Sequence, residues 1–84
     1  MQVGTQFTGA VPAGATQRWF THSWPLAANV VWTVVPTTIG GSGAQLEWDV
    51  QVQLAGADLL TYWITVKNVS ATEIQVQGRY AVLS

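Results

Sequence analysis

Hydrophobic and polar residues alternate strictly through the second half of the chain. Leu46, Trp48, Val50, Val52 and Leu54 fall on one side of an extended backbone, and Glu47, Asp49, Gln51 and Gln53 on the other. This period of two marks a half-buried antiparallel strand. After Ala55-Gly56-Ala57-Asp58 the alternation resumes, with Leu60, Tyr62, Ile64 and Val66 against Thr61, Trp63, Thr65 and Lys67. A third run follows Asn68-Val69-Ser70-Ala71-Thr72 and sets Ile74, Val76, Gly78, Tyr80 and Val82 against Glu73, Gln75, Gln77 and Arg79. Three successive runs of this kind predict a meander.

The first half carries the same signal with more interruptions. Val3, Thr5 and Phe7 precede a turn region from Gly9 to Gly14, and further strands are predicted over Arg18 to Trp24 and Val30 to Val35. Pro12, Pro25 and Pro36 punctuate this half, and Ile39 to Ala44 reads as a flexible loop joining two three-stranded halves. Thr, Val, Gln and aromatic residues are abundant while Leu, Lys, Glu and Arg are scarce, which favours strand over helix throughout. The pattern predicts an all-β chain: a small antiparallel β-sandwich or flattened barrel of about six strands, without helix, forming one domain over residues 1–84.

Register follows from matching apolar faces and opposite charges. Setting Leu54 opposite Leu60 places Trp48 against Val66 on the inner face, with Glu47 against Lys67 and Gln51 against Trp63 on the outer face. Setting Lys67 opposite Glu73 places Val66 against Ile74 and Trp63 against Gln77. Trp63 is then the centre of an outer face of Thr and Gln residues, with Asp49 and Arg79 on the diagonals. Three readings of it stand open. Its ring covers neighbouring Thr methyls, or it stacks on the C–H groups of a sugar while amides and a carboxylate take the hydroxyls, or it anchors a subunit contact.

Among the remaining aromatics, Trp48 and Trp32 are assigned to the core. Strand geometry sends Trp19 and Phe20 to opposite faces, so Arg18, Phe20, His22 and Trp24 share one side and Trp19, Thr21 and Ser23 the other. Trp24, extended by the following Pro25, is either a lid over the sandwich end or a second ligand-contacting surface. Val30 to Val35 is apolar on both faces, a pattern that wants cover on both sides. It predicts a homo-oligomer.

Charge then narrows the partners. The 84 residues include only 3 Lys+Arg and 4 Asp+Glu, no Cys, and 5 Trp. Clustered basic residues, needed for nucleic acid or anionic membranes, are missing, so neither partner is expected. No run of apolar residues is long enough to span a bilayer. Met1-Gln2-Val3-Gly4-Thr5 has neither a basic nor an apolar leader segment, so no secretory signal is expected in this chain, and the compartment stays open. With no disulfide available, the large aromatics carry much of the stability of so small a core.

Catalytic and metal signals are weak. His22 is the single histidine, and no nucleophile-elbow pattern surrounds Ser23, Ser42 or Ser70. Glu47 and Asp49 lie about 6–7 Å apart along one strand face, within reach of paired-carboxylate chemistry, but beside Lys67 on an open face where neither is pushed to act as an acid. No loop gathers calcium ligands, and zinc ligands are lacking. No enzyme activity, cofactor or metal is therefore expected. Asn68-Val69-Ser70 has the form of a glycosylation acceptor in a position where turn geometry alone accounts for it. Phe7 to Gly14 followed by Trp19-Phe20-Thr21 resembles the opening of small accessory β-sandwich domains of secreted bacterial enzymes, and Gly78-Arg79-Tyr80 resembles their closing strand. The resemblance spans under half the chain and implies no functional residue.

Together these features point to a non-enzymatic, lectin-like carbohydrate-binding module acting as a homo-oligomer. Its predicted ligand-binding residues are Trp63, Gln51, Gln77, Asp49, Arg79, Trp24 and Trp19. The alternative is a structural or assembly protein whose exposed aromatics form subunit contacts.

Overall fold

The alternating runs become strands because their β-branched and aromatic residues suit a pleated surface covered on one side. The computed structural model describes residues 1–83; Ser84, included in the predicted domain, lies outside them. The strands are β1 (Gln2–Val11), β2 (Thr16–Pro25), β3 (Asn29–Pro36), β4 (Leu46–Leu54), β5 (Leu59–Asn68) and β6 (Ile74–Leu83). No helix occurs among the described residues, and hence none long and apolar enough to cross a membrane. Two antiparallel three-stranded sheets, β1-β6-β3 and β2-β5-β4, form a small all-β sandwich, as the alternation predicts.

The sheets enclose Val11, Val34, Ile64, Val66, Ile74 and Val76 together with Trp32 and Tyr62. Each fully buried aliphatic side chain contributes roughly 1.5–3 kcal/mol of transfer free energy. Aromatic edges complete the packing: Trp24 meets Trp32 at 5.7 Å and an interplanar angle of 89°, and Phe7 stacks on Trp19 at 4.6 Å. The Trp32 indole N–H is buried without a hydrogen-bond partner among the described residues and lies among the rings of Trp24, Tyr62 and Tyr80. Burial pushes the Tyr62 phenol above its ordinary value of 10.0.

Three expectations are corrected. The third alternating run does not complete a meander, because β6 crosses to the other sheet and pairs with β1 and β3. Val11 and Thr37 flank it there in place of Lys67: Ile74 lies opposite Val11, and Gln75 O accepts from Thr37 N at 2.8 Å. The halves on either side of the glycine loop likewise do not form separate sheets; β1, β3 and β6 belong to one, β2, β4 and β5 to the other. Finally, β1 continues through Gly9 to Val11 and the turn is confined to Pro12–Ala15, closed by Ala15 N donating to Pro12 O at 3.0 Å.

Asn68 explains why the chain leaves the sheet after β5. Its side chain is fully buried, and its Nδ2 donates to Val11 O and Thr72 O, both at 2.8 Å. Its Oδ1 accepts from Ser70 N at 2.8 Å and Ser70 Oγ at 2.7 Å, the geometry of an Asx turn. Asn68 N also donates to Ala15 O at 2.9 Å and Asn68 O accepts from Gly14 N at 3.1 Å. One residue therefore ties the β1–β2 turn to the β5–β6 arch with every polar group satisfied. With its amide enclosed, Asn68 is closed to glycosylation in the folded chain.

Candidate functional site

Only one of the two outer faces gathers acids, amides, cations and aromatic rings. On the β2-β5-β4 sheet the register sets Gln51 opposite Trp63 and Trp63 opposite Phe20, so an amide, an indole and a phenyl ring form one row across three strands. The next row is Asp49, Thr65 and Arg18, and the one after it Glu47, Lys67 and Thr16. The predicted β4–β5 register holds at every position, including Trp48 with Val66 and Leu54 with Leu60.

Arg18 binds these rows together. Its guanidinium carbon lies 5.3 Å from the Trp63 ring centroid, and its Nη2 donates to Gln51 Oε1 at 3.3 Å. The cation thus holds the amide and covers part of the indole. Phe20 remains 66% exposed and stacks with the His22 ring at 6.1 Å, so its phenyl ring is the most open aromatic surface here. Glu47, Asp49, Thr65 and Lys67 border a depression of about 220 Å³ beside this row.

Of the predicted ligand-binding residues, Trp63, Gln51 and Asp49 meet on this face, and four do not. Gln77 and Arg79 lie on β6 in the other sheet, where Arg79 Nη2 donates to Gln77 Oε1 at 2.9 Å. Arg18, and not Arg79, is the cation beside Trp63, a placement that the Arg18–Phe20 alternation carries. Trp19 points inward, opposite Ile64 and against Phe7. Trp24 also points inward, because a bulge sets His22 and Ser23 against Thr61 alone and reverses the alternation.

That bulge has a visible cause. Ser23 adopts φ 67°, a left-handed conformation unusual outside glycine, and its hydroxyl lies 2.9 Å from His22 Nδ1. Trp24 is then an inner-face residue, not an end lid: its indole N–H donates to Thr21 Oγ1 at 3.1 Å, and Gln6 Nε2 reaches the same oxygen at 3.1 Å. Gln6 is itself the extra residue of a bulge in β1. Two bulges on facing strands therefore converge on one buried hydroxyl.

Trp48 is a further correction. It points to the inner side of β4 as the register requires, yet it is 39% exposed, with Val52 at 59% and Leu54 at 54% beyond it. The inner face of β4 overhangs the opposite sheet. Trp32 alone of the two assigned core tryptophans is buried.

The other outer face holds a larger depression of about 460 Å³, walled by Val3 and Val31 with Ala81 between them and Arg79 at its side. It is less varied chemically, with one charged side chain among its lining residues. Val31 is 49% exposed there, as the two-sided apolar pattern of β3 requires of a single chain. No group of three or more residues able to hold a metal ion occurs among the described residues. No protein-family model, curated protein or solved structure matches this chain.

Proposed function

We propose that the outward face of β2-β5-β4 binds carbohydrate and that the protein is a non-enzymatic, lectin-like module working as a homo-oligomer. The observation that carries this reading is the Gln51–Trp63–Phe20 row with Arg18 bridging the amide and the indole. A pyranose laid on Phe20 and the uncovered part of Trp63 presents its C–H groups to the rings. Its edge hydroxyls then meet Asp49 and Gln51 as acceptors, with Arg18, Thr65 and Lys67 as donors. Because Arg18 already fixes Gln51 and Trp63, little side-chain freedom is lost on binding.

The depression is shallow and open, so a single site is weak and useful strength comes from several sites on one assembly. A second reading, in which the exposed aromatics form subunit contacts, is favoured by the 66% exposure of Phe20. Tryptophan fluorescence titrated with a panel of sugars, alongside the mass in solution, separates the two. The carbohydrate reading expects saturable quenching that Phe20→Ala and Trp63→Ala abolish at unchanged mass. A blank panel, with dissociation of the assembly by Phe20→Ala, establishes the second reading instead.

A further inference from the structure

Four strands border the open edges of the sandwich; two of them are bulged and a third, regular along its pairing with β6, ends in proline, features that disfavour pairing with another chain. β1 is bulged at Gln6, β2 is bulged at His22–Ser23 and ends in Pro25, and β3 ends in Pro36. β4 pairs with β5 alone, runs nine residues without a register shift and contains neither Gly nor Pro. Its free edge is a regular hydrogen-bonding template. Beside that edge the inner-face side chains of Trp48, Val52 and Leu54 stand partly uncovered.

We propose that β4 pairs antiparallel with β4 of a second copy, centred on Val50, to form a continuous six-stranded sheet. Charge selects this partner and this direction. The outer positions of β4 read Glu47, Asp49, Gln51, Gln53, with the acids in the first half and the amides in the second. Centring on Val50 overlaps the whole strand, sets Glu47 against Gln53 and Asp49 against Gln51 of the second copy, and sets Leu46 against Leu54 and Trp48 against Val52 inside. Parallel pairing in register would set each acid against its own copy, which is destabilising.

This arrangement also sets the partly uncovered inner side chains of β4 beside their counterparts on the second copy, lateral contact that the opposite sheet of its own chain does not supply. Both outward faces come to lie on the same side of the joined sheet. The two Trp63 rings then stand about 16 Å apart, from three strand spacings across and two residues along. The interface rests on the homo-oligomer reading and is independent of the sugar-binding face: a monomer that binds sugar refutes the β4 pairing and the homo-oligomer together and leaves the carbohydrate face standing.

Sedimentation equilibrium of the whole chain and of two exposed-site variants tests it. At tens of micromolar the parent sediments at twice its 9.0 kDa chain mass, Val52→Lys at the single-chain mass with an unchanged β-sheet circular dichroism spectrum, and Val31→Lys, on the other sheet, at the doubled mass. A monomeric parent, a Val52→Lys protein that remains doubled, or dissociation by Val31→Lys overturns the proposal. Val50→Cys, in a chain with no other cysteine, gives a second readout: it oxidises to a covalent dimer faster than Gln75→Cys on β6, and equal rates contradict the register.

Discussion

Replacing Asn68 with aspartate exchanges one side-chain NH2 for an oxygen and tests what closes this sandwich. The carboxylate keeps both acceptor contacts to Ser70 but loses the Nδ2 donors, leaving an anionic oxygen facing Val11 O and Thr72 O, each 2.8 Å from the nitrogen it replaces. Of these carbonyls, the one from fully buried Val11 has least access to water. An orphaned buried acceptor costs about 1–3 kcal/mol, and the enclosed charge adds to it, so about 4 kcal/mol is expected at pH 7. That is a large share of the roughly 4–13 kcal/mol available to a domain of this size, and at about 4–8 °C per kcal/mol it lowers Tm by about 16–32 °C.

Acid should relieve the defect. The new carboxyl is held in its neutral form by burial and by the two carbonyls, so its folded value lies above the unfolded 3.9 or so. Stability is then retained below the unfolded value and lost as pH rises through the folded one. The gap between Asn68→Asp and parent, measured by thermal and urea unfolding followed by circular dichroism, narrows from pH 7 toward pH 4. A variant as stable as parent at pH 7, or a gap that widens on acidification, refutes the role assigned to Asn68.

Two further outcomes follow from the packing. A methyl group on Gly78 would overlap the Phe7 ring, which is pinned against Trp19, so Gly78→Ala costs about 1–3 kcal/mol by overpacking, and Phe7→Leu in the same chain recovers part of it in urea unfolding. The raised Tyr62 phenol is neutral in the fold, so its contribution is complete below pH 10 and is lost as pH climbs toward its folded value. Tyr62→Phe therefore shows a shallower decline of urea-unfolding stability above pH 10 than the parent, and equal slopes contradict the assignment.

What the sequence made legible was whatever a period of two can carry. The β4–β5 pairing is readable residue by residue because both strands alternate without interruption and a four-residue hairpin joins them. The destination of β6 is not, since the alternation of Ile74 to Val82 fits either sheet equally and the choice is made by the buried amide of Asn68. Plain alternation puts Trp24 on a face that the Ser23 bulge reverses, and no glycine signals that bulge. At the site, the Trp63–Gln51–Asp49 cluster follows from β4–β5 register, whereas Gln77 and Arg79 join it only in a meander, which the β1-β6-β3 sheet rules out. Trp48 lies on its expected face, but coverage of that face depends on the width of the opposite sheet, which alternation does not encode.

The most direct test of the carbohydrate-binding face uses the five indole N–H signals of the chain in two-dimensional nitrogen–proton spectra, with each tryptophan assigned by substitution. Titration with a sugar that quenches fluorescence is predicted to shift the Trp63 indole resonance and the backbone amides of Phe20, Gln51 and Thr65, leaving the buried Trp32 resonance in place. Shifts confined to β1, β3 and β6, or none at Trp63 under saturating sugar, would contradict the account.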